Sequence, residues 1–131
     1  MYQNLKNIIK KLTPKKYFFR YEMIFRLILY QFYRGQQFQC NICGKRLRKF
    51  ILLPDHDKLC PYCGSIARNR RLWEFMNTGL IKEGMRILDF SPSRNLYRQF
   101  KKISSITYHA SDLSGDFLAD FHFDITTIEV Q

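Results

Sequence analysis

No stretch of this chain supplies the roughly 20 uninterrupted apolar residues that a membrane-spanning helix needs. The nearest, Tyr17 to Tyr33, is broken by Arg20, Glu22 and Arg26. The opening Met1-Tyr2-Gln3-Asn4-Leu5-Lys6 lacks the short apolar core and small-residue cleavage site of a secretory signal, so the expected compartment is cytoplasmic. The glycine-rich fingerprint of dinucleotide-binding proteins is missing. No nucleophile–base constellation is visible either, because His109 and His122 stand without a paired cysteine or serine motif. Acidic residues are few, 11 against 22 lysines and arginines in 131 residues. What is present suffices for folding: 46% of the residues are apolar and 16% aromatic. The length suits one ordinary domain or two small ones, and a complete doubly wound enzyme would fit only tightly.

The excess of +11 is concentrated at the front. Residues 1–35 carry eight basic residues against Glu22 alone, residues 36–79 carry eight against three acids, and residues 80–131 carry six against seven. A basic front attracts phosphates, whether of nucleic acid or of anionic lipid, although a solvated basic face with no partner explains the same count.

The chain divides into three parts, residues 1–35, 36–79 and 80–131. In the first, Leu5, Ile8, Ile9 and Leu12 recur at helical spacing with Lys6, Lys10 and Lys11 opposite, and Thr13-Pro14 breaks the pattern. A second helix is expected from Lys15 to Arg34, ended by Gly35, with Phe18, Ile24, Phe25, Ile28, Leu29 and Phe32 on one stripe. Such a stripe can lie on an anionic membrane or a partner. Packing against the rest of the fold is the commoner fate and is the expectation here.

The middle part holds all four cysteines, as Cys40-Asn41-Ile42-Cys43-Gly44 and Cys60-Pro61-Tyr62-Cys63-Gly64, sixteen residues apart. Paired Cys-x-x-Cys units at this separation read as a tetrathiolate zinc site, with iron able to replace zinc in a recombinant preparation. Disulfides are disfavoured in a reducing cytosol, and a redox pair is disfavoured because the motif is doubled. Four ligands with no open position make the metal structural. Between the clasps, Lys45 to Leu53 suits a strand and Pro54-Asp55 a turn, leaving His56 as a solvated loop residue. After them, Ser65 is placed to cap a helix running through Ile66, Leu72, Trp73 and Met76 to Asn77-Thr78-Gly79. Arg68, Arg70 and Arg71, with Lys45, Arg46, Arg48 and Lys49, offer a surface for a nucleic-acid backbone, without any element of base readout.

In the third part, Met85 to Phe90 reads as a strand, Ser91-Pro92-Ser93 as a turn capping a helix over Asn95 to Lys102, and Ile106 to Ala110 as a second strand ending at Ser111-Asp112. Strand, helix, strand and then an acid is the order of a nucleotide-binding βαβ unit, in which such an acid bonds ribose hydroxyls. Acids also follow strands in many α/β proteins simply as loop formers.

Phe32-Tyr33-Arg34-Gly35, the Cys40-x-x-Cys43-Gly44-Lys45 clasp, Cys60-Pro61-x-Cys63-Gly64-Ser65 with Arg68 and Arg70, Ile87-Leu88 with Ser91-Pro92, and Ser111-Asp112-Leu113 with Asp124-Ile125 together resemble a bacterial family. These are S-adenosylmethionine-dependent methyltransferases with an N-terminal zinc ribbon, and the resemblance covers about residues 32–131. It implies a class I methyltransferase fold, with Asp89, Ser91 and Ser93 lining the cofactor, Asp112 on its ribose, and Asp124 and Ile125 near the adenine. Phe90-Ser91-Pro92-Ser93 departs from the family's glycine-rich turn, and Ser93 stands where relatives often have Glu. Relatives also continue beyond Asp124-Ile125-Thr126-Thr127-Ile128 into further strands that help to hold the methyl acceptor, whereas this sequence stops at Gln131.

The expected fold is therefore mixed α+β and α/β. It comprises N-terminal amphipathic helices, a small four-cysteine zinc ribbon and a partial Rossmann-like βαβ segment. The expected function is the front of a zinc-ribbon methyltransferase, incomplete as a catalyst, with an unidentified acceptor and an open sheet edge that self-associates or takes a completing partner chain. The alternative is a zinc-ribbon binding module for nucleic acid or protein, carrying a vestigial α/β segment.

Overall fold

A computed structural model describes residues 15–113, 119–122, 124 and 126–127, with side chains from residue 21 onward. The expected helix over residues 4–12 and the candidate Ile125 lie outside these residues. Helix α1 spans Lys15–Gln31. Two antiparallel pairs follow, β1 (Arg34–Gln39) with β2 (Arg46–Leu47), and β3 (Ile51–Leu52) with β4 (Lys58–Leu59). Helix α2 covers Ala67–Phe75 and runs into a wide turn over Met76–Leu80. Strand β5 (Arg86–Phe90), helix α3 (Arg94–Phe100) and strand β6 (Thr107–Ser111) complete the order, and β5 and β6 pair in parallel. Among the described residues no helix is long and apolar enough to cross a membrane.

The sequence expectations hold for most elements and fail at instructive places. The single strand expected over Lys45 to Leu53 is two short strands serving different hairpins. Between them the chain bends, and the Arg48 amide donates to the carbonyl of Tyr33 across from β1. Helix α1 stops at Gln31, tightened by amide bonds from Phe32 to Leu29 and from Tyr33 to Tyr30. Gly35 consequently lies in β1 and ends no helix. Its role is close approach, since a Cβ there would sit 2.6 Å from the Arg48 nitrogen and 2.7 Å from its Cα.

The face that α1 turns inward is also different from the one expected. Glu22 and Tyr30 are buried and Arg26 is largely covered, whereas Ile24, Ile28 and Phe32 of the apolar stripe are exposed. Glu22 accepts from Arg26 Nε and from Arg98 Nη2, each at 2.9 Å, with Arg94 at 3.8 Å. Tyr30 donates to the carbonyl of Arg46 and meets Tyr62 edge to face. A charged cluster reaching α3 and an aromatic contact reaching the ribbon thus fix the helix, in place of its apolar stripe.

Helix α3 covers one face of the parallel pair. Phe100 stacks on Tyr108 with ring centres 5.0 Å apart, and Trp73 of α2 packs edge-on against Phe100 at 5.4 Å. One core joins Tyr30, Cys40, Leu47, Cys60, Leu96, Phe100, Tyr108 and Ala110, so all three sequence segments share it. On the other face Leu88, Phe90 and Phe121 remain about half exposed. Phe121 forms a parallel bridge with Ser111, on the side of β6 where its amide donates to Ala110.

Candidate metal centre and the turn beyond the parallel strands

Each Cys-x-x-Cys unit folds into the same knuckle. The amide of Cys40 donates to Lys45 and that of Gly44 to Cys40, and Cys60, Ser65 and Gly64 repeat this pair of bonds. Both glycines hold a left-handed backbone, at φ +70° and +73°, which L side chains rarely adopt. Gly64 is also covered by the Arg26 guanidinium, 2.6 Å from where a Cβ would stand.

The knuckles bring Cys40, Cys43, Cys60 and Cys63 together, with all four sulfurs within 4.8 Å of one another. The Sγ–Sγ distances are 3.7 Å for Cys40–Cys63 and 3.8 Å for Cys43–Cys60. A tetrahedron with metal–sulfur bonds of about 2.3 Å has edges of about 3.8 Å, which these two edges match, so the four cysteines are positioned for a possible metal ion. These separations are far beyond a disulfide bond, and the cysteines are unbridged. The thiols perturb one another strongly. Hydrogen bonding with Cys43 drives Cys40 far below the ordinary thiol value, and hydrogen bonding with Cys40 drives Cys43 far above it. Four crowded sulfurs, three of them buried and Cys43 half-buried, cannot all be thiolates without a cation among them, and a divalent metal would supply that charge.

Ser65 was expected to cap α2 but faces the sulfurs instead. Its fully buried Oγ lies 3.4 Å from Cys40 Sγ and 3.2 Å from Cys63 Sγ, where its hydroxyl can donate to a metal-bound thiolate. The cap comes from further off: Asp57 Oδ1 accepts from the Ala67 amide at 3.0 Å, and that bond leads the causes holding the Asp57 carboxyl below its usual range. His56 is exposed on its loop, at φ +62°, and takes no part in the sulfur cluster.

Beyond the carboxyl ends of β5 and β6, Ser91 and Asp112 face each other, with Ser91 Oγ 3.4 Å from Asp112 Oδ1. The Ser91 amide donates to Ser111 while its backbone holds φ +52°. The other residues that sequence reasoning grouped with them are engaged elsewhere. Asp89 turns to the α3 side and accepts from the Tyr108 hydroxyl at 3.0 Å, and burial raises its carboxyl above the usual value. Ser93 begins α3 without a capping side-chain bond. Its hydroxyl accepts from Asn69 of α2 and donates to Asn95, which tethers the ribbon helix to the α/β unit. Asp124 accepts from the Thr126 amide and hydroxyl, and the hydroxyl bond is the leading cause that lowers its carboxyl.

Sequence reasoning missed the Glu22 cluster, the Asp57 cap and the Lys101–Asp120 ion pair at 2.8 Å, whose carboxylate also receives the Ala110 amide. Glu22 and Arg26 stand at the i,i+4 spacing of one helix, but the reach to Arg98, the Asp57–Ala67 cap and the Lys101–Asp120 pair join residues too far apart in the chain for periodicity to signal. No protein-family model, curated protein or solved structure matches this chain.

Proposed function

We propose that residues 36–79 are a zinc ribbon and that residues 80–131 belong to the cofactor-binding front of an S-adenosylmethionine-dependent methyltransferase. The observation that carries this reading is the parallel β5–α3–β6 unit with Ser91 and Asp112 opposed beyond its carboxyl ends. In open α/β sheets ligands bind at that edge. Ser91 adds support, because a left-handed backbone at a residue other than glycine costs about 1 kcal/mol or more and clusters at binding sites. So does the Phe121 bridge, which begins a third parallel position on the outer side of β6, just before Asp124. The half-exposed face of Leu88, Phe90 and Phe121 is where a second layer of helices covers a doubly wound sheet.

S-adenosylmethionine supplies the methyl group when bound. The chain's own part in this reading is to hold the nucleoside: Asp112 accepts from the ribose hydroxyls, the Ser91 turn borders the methionine end, and Asp124 serves the adenine. Asp89 and Ser93, engaged with Tyr108, Asn69 and Asn95, support that turn from behind. The zinc takes no part in transfer, since four thiolates close its coordination shell.

Calorimetric titration with S-adenosylmethionine tests this reading. Binding is expected, changing little with salt and weakening about tenfold or more in Asp112→Ala, the scale of losing a hydrogen bond to a charged group. Equal affinity in the variant, or no binding by the metal-loaded wild type, overturns it. A second reading, a zinc-ribbon module for nucleic acid, draws on the exposed Arg46, Arg48, Lys49, Arg68 and Arg71. It predicts oligonucleotide binding that falls steeply with salt and is indifferent to Asp112.

A further inference from the structure

The orientation of α1 inverts the usual rule for a surface helix, which buries its apolar stripe and shows its charges. Here Glu22 and Arg26 are turned inward. Glu22, the one acid in residues 1–35, is 6% exposed and neutralised by Arg26 and Arg98. Outside stand Tyr21 at 53% exposure, Ile24 at 57%, Leu27 at 47%, Ile28 at 59% and Phe32 at 72%. The sequence sets Lys15, Lys16 and Arg20 in the first two turns of the same helix, and the exposed Arg34 follows its end.

From this arrangement we infer that α1 is a peripheral membrane anchor whose outward face lies in the surface of an anionic lipid bilayer. Charge complementarity selects this occupant. Pairing α1 with α1 of a second copy would bring two helices of net +3 together, whereas an anionic bilayer receives the apolar stripe in its acyl boundary and the basic residues among its headgroups. Seventeen residues at about 1.5 Å each make a helix of about 26 Å, lying flat with its docked side held up by the Glu22 cluster and Tyr30. The site is independent of the Ser91–Asp112 edge, so each proposal stands or falls alone.

Vesicle sedimentation of the full, metal-loaded chain tests it, using phosphatidylcholine alone and phosphatidylcholine with about 30% phosphatidylglycerol. Binding is expected to the mixed vesicles only, weakened about tenfold or more by Ile28→Glu and several-fold by the double change Lys15→Gln, Lys16→Gln. Ile28 is exposed, so its replacement should leave metal content and helical circular dichroism unchanged, which separates lost binding from lost folding. Equal partitioning of wild type and Ile28→Glu overturns the inference. So does a wild-type dimer that Ile28→Glu dissolves while neither protein binds vesicles.

Discussion

At the scale of single residues, Glu22 makes the sharpest prediction. Burial alone would raise its carboxyl, but Arg26 and Arg98 more than offset this and hold it below the ordinary value of 4.5. A carboxyl lowered in the folded state stabilises the fold at every pH above its unfolded value. That contribution is lost as pH falls from there through the folded value. Glu22→Gln leaves two largely covered guanidiniums facing a neutral amide. Breaking a buried pair in this way costs about 3–5 kcal/mol when both ions are fully buried, and about 2–3 kcal/mol is expected here because Arg26 and Arg98 keep 12% and 18% exposure. Urea denaturation at pH 7 measures this difference, which should shrink as the pH falls from 4.5 through the lowered folded-state value and the wild-type carboxylate takes up its proton. A difference that stays constant with pH would assign the loss to packing, not to charge.

At the scale of elements, Gly35 decides whether β1 can lie against the bend after β2. The atoms that a Cβ would meet are the Arg48 backbone nitrogen and Cα and the Cβ fixed to them, so Gly35→Ala cannot be relieved by a rotamer change. The expected cost is about 1–3 kcal/mol, read as a lower denaturation midpoint with unchanged metal stoichiometry. The sequence marks Gly35 as punctuation but does not say what it punctuates, because the close approach is to Arg48, thirteen residues on. The knuckles are the opposite case. The backbone bonds that close each knuckle lie within six residues, so Cys40, Cys43, Cys60 and Cys63 could be grouped from spacing alone, and the strands and helix after Gly84 could be read from their periods. Helix α1 shows where such reading stops. Its period locates the helix and its stripe, but which face turns inward depends on Arg98, 76 residues away. Two charged bonds and an aromatic contact outweigh the stripe, and no local pattern encodes that balance.

At the scale of the whole molecule, the four-cysteine site is built into the common core and does not sit in a detachable ribbon. Cys40, Cys60 and Cys63 pack in one cluster with Tyr30 of α1, Leu96 and Phe100 of α3, and Tyr108 and Ala110 of β6. Ser93, Asn69, Asn95 and Gly64 add a polar seam between the ribbon helix and the α/β unit. Without an ion the four crowded sulfurs must be protonated or separate, and the knuckle that holds Tyr62 and Gly64 against Tyr30 and Arg26 of α1 loses its clasp. Purified protein should therefore carry about one metal ion per four thiols, and a strong chelator should loosen more than the ribbon. Trp73, the one tryptophan, reports this from outside the knuckles, because it leans on Phe100 of α3. On chelation its emission should shift to the red together with a loss of helical circular dichroism, in a single transition that added zinc reverses. If the ribbon instead unfolded by itself, thiol reactivity would rise while Trp73 emission stayed fixed. The Phe100–Tyr108 stack would then be enough to hold the α/β unit without the metal.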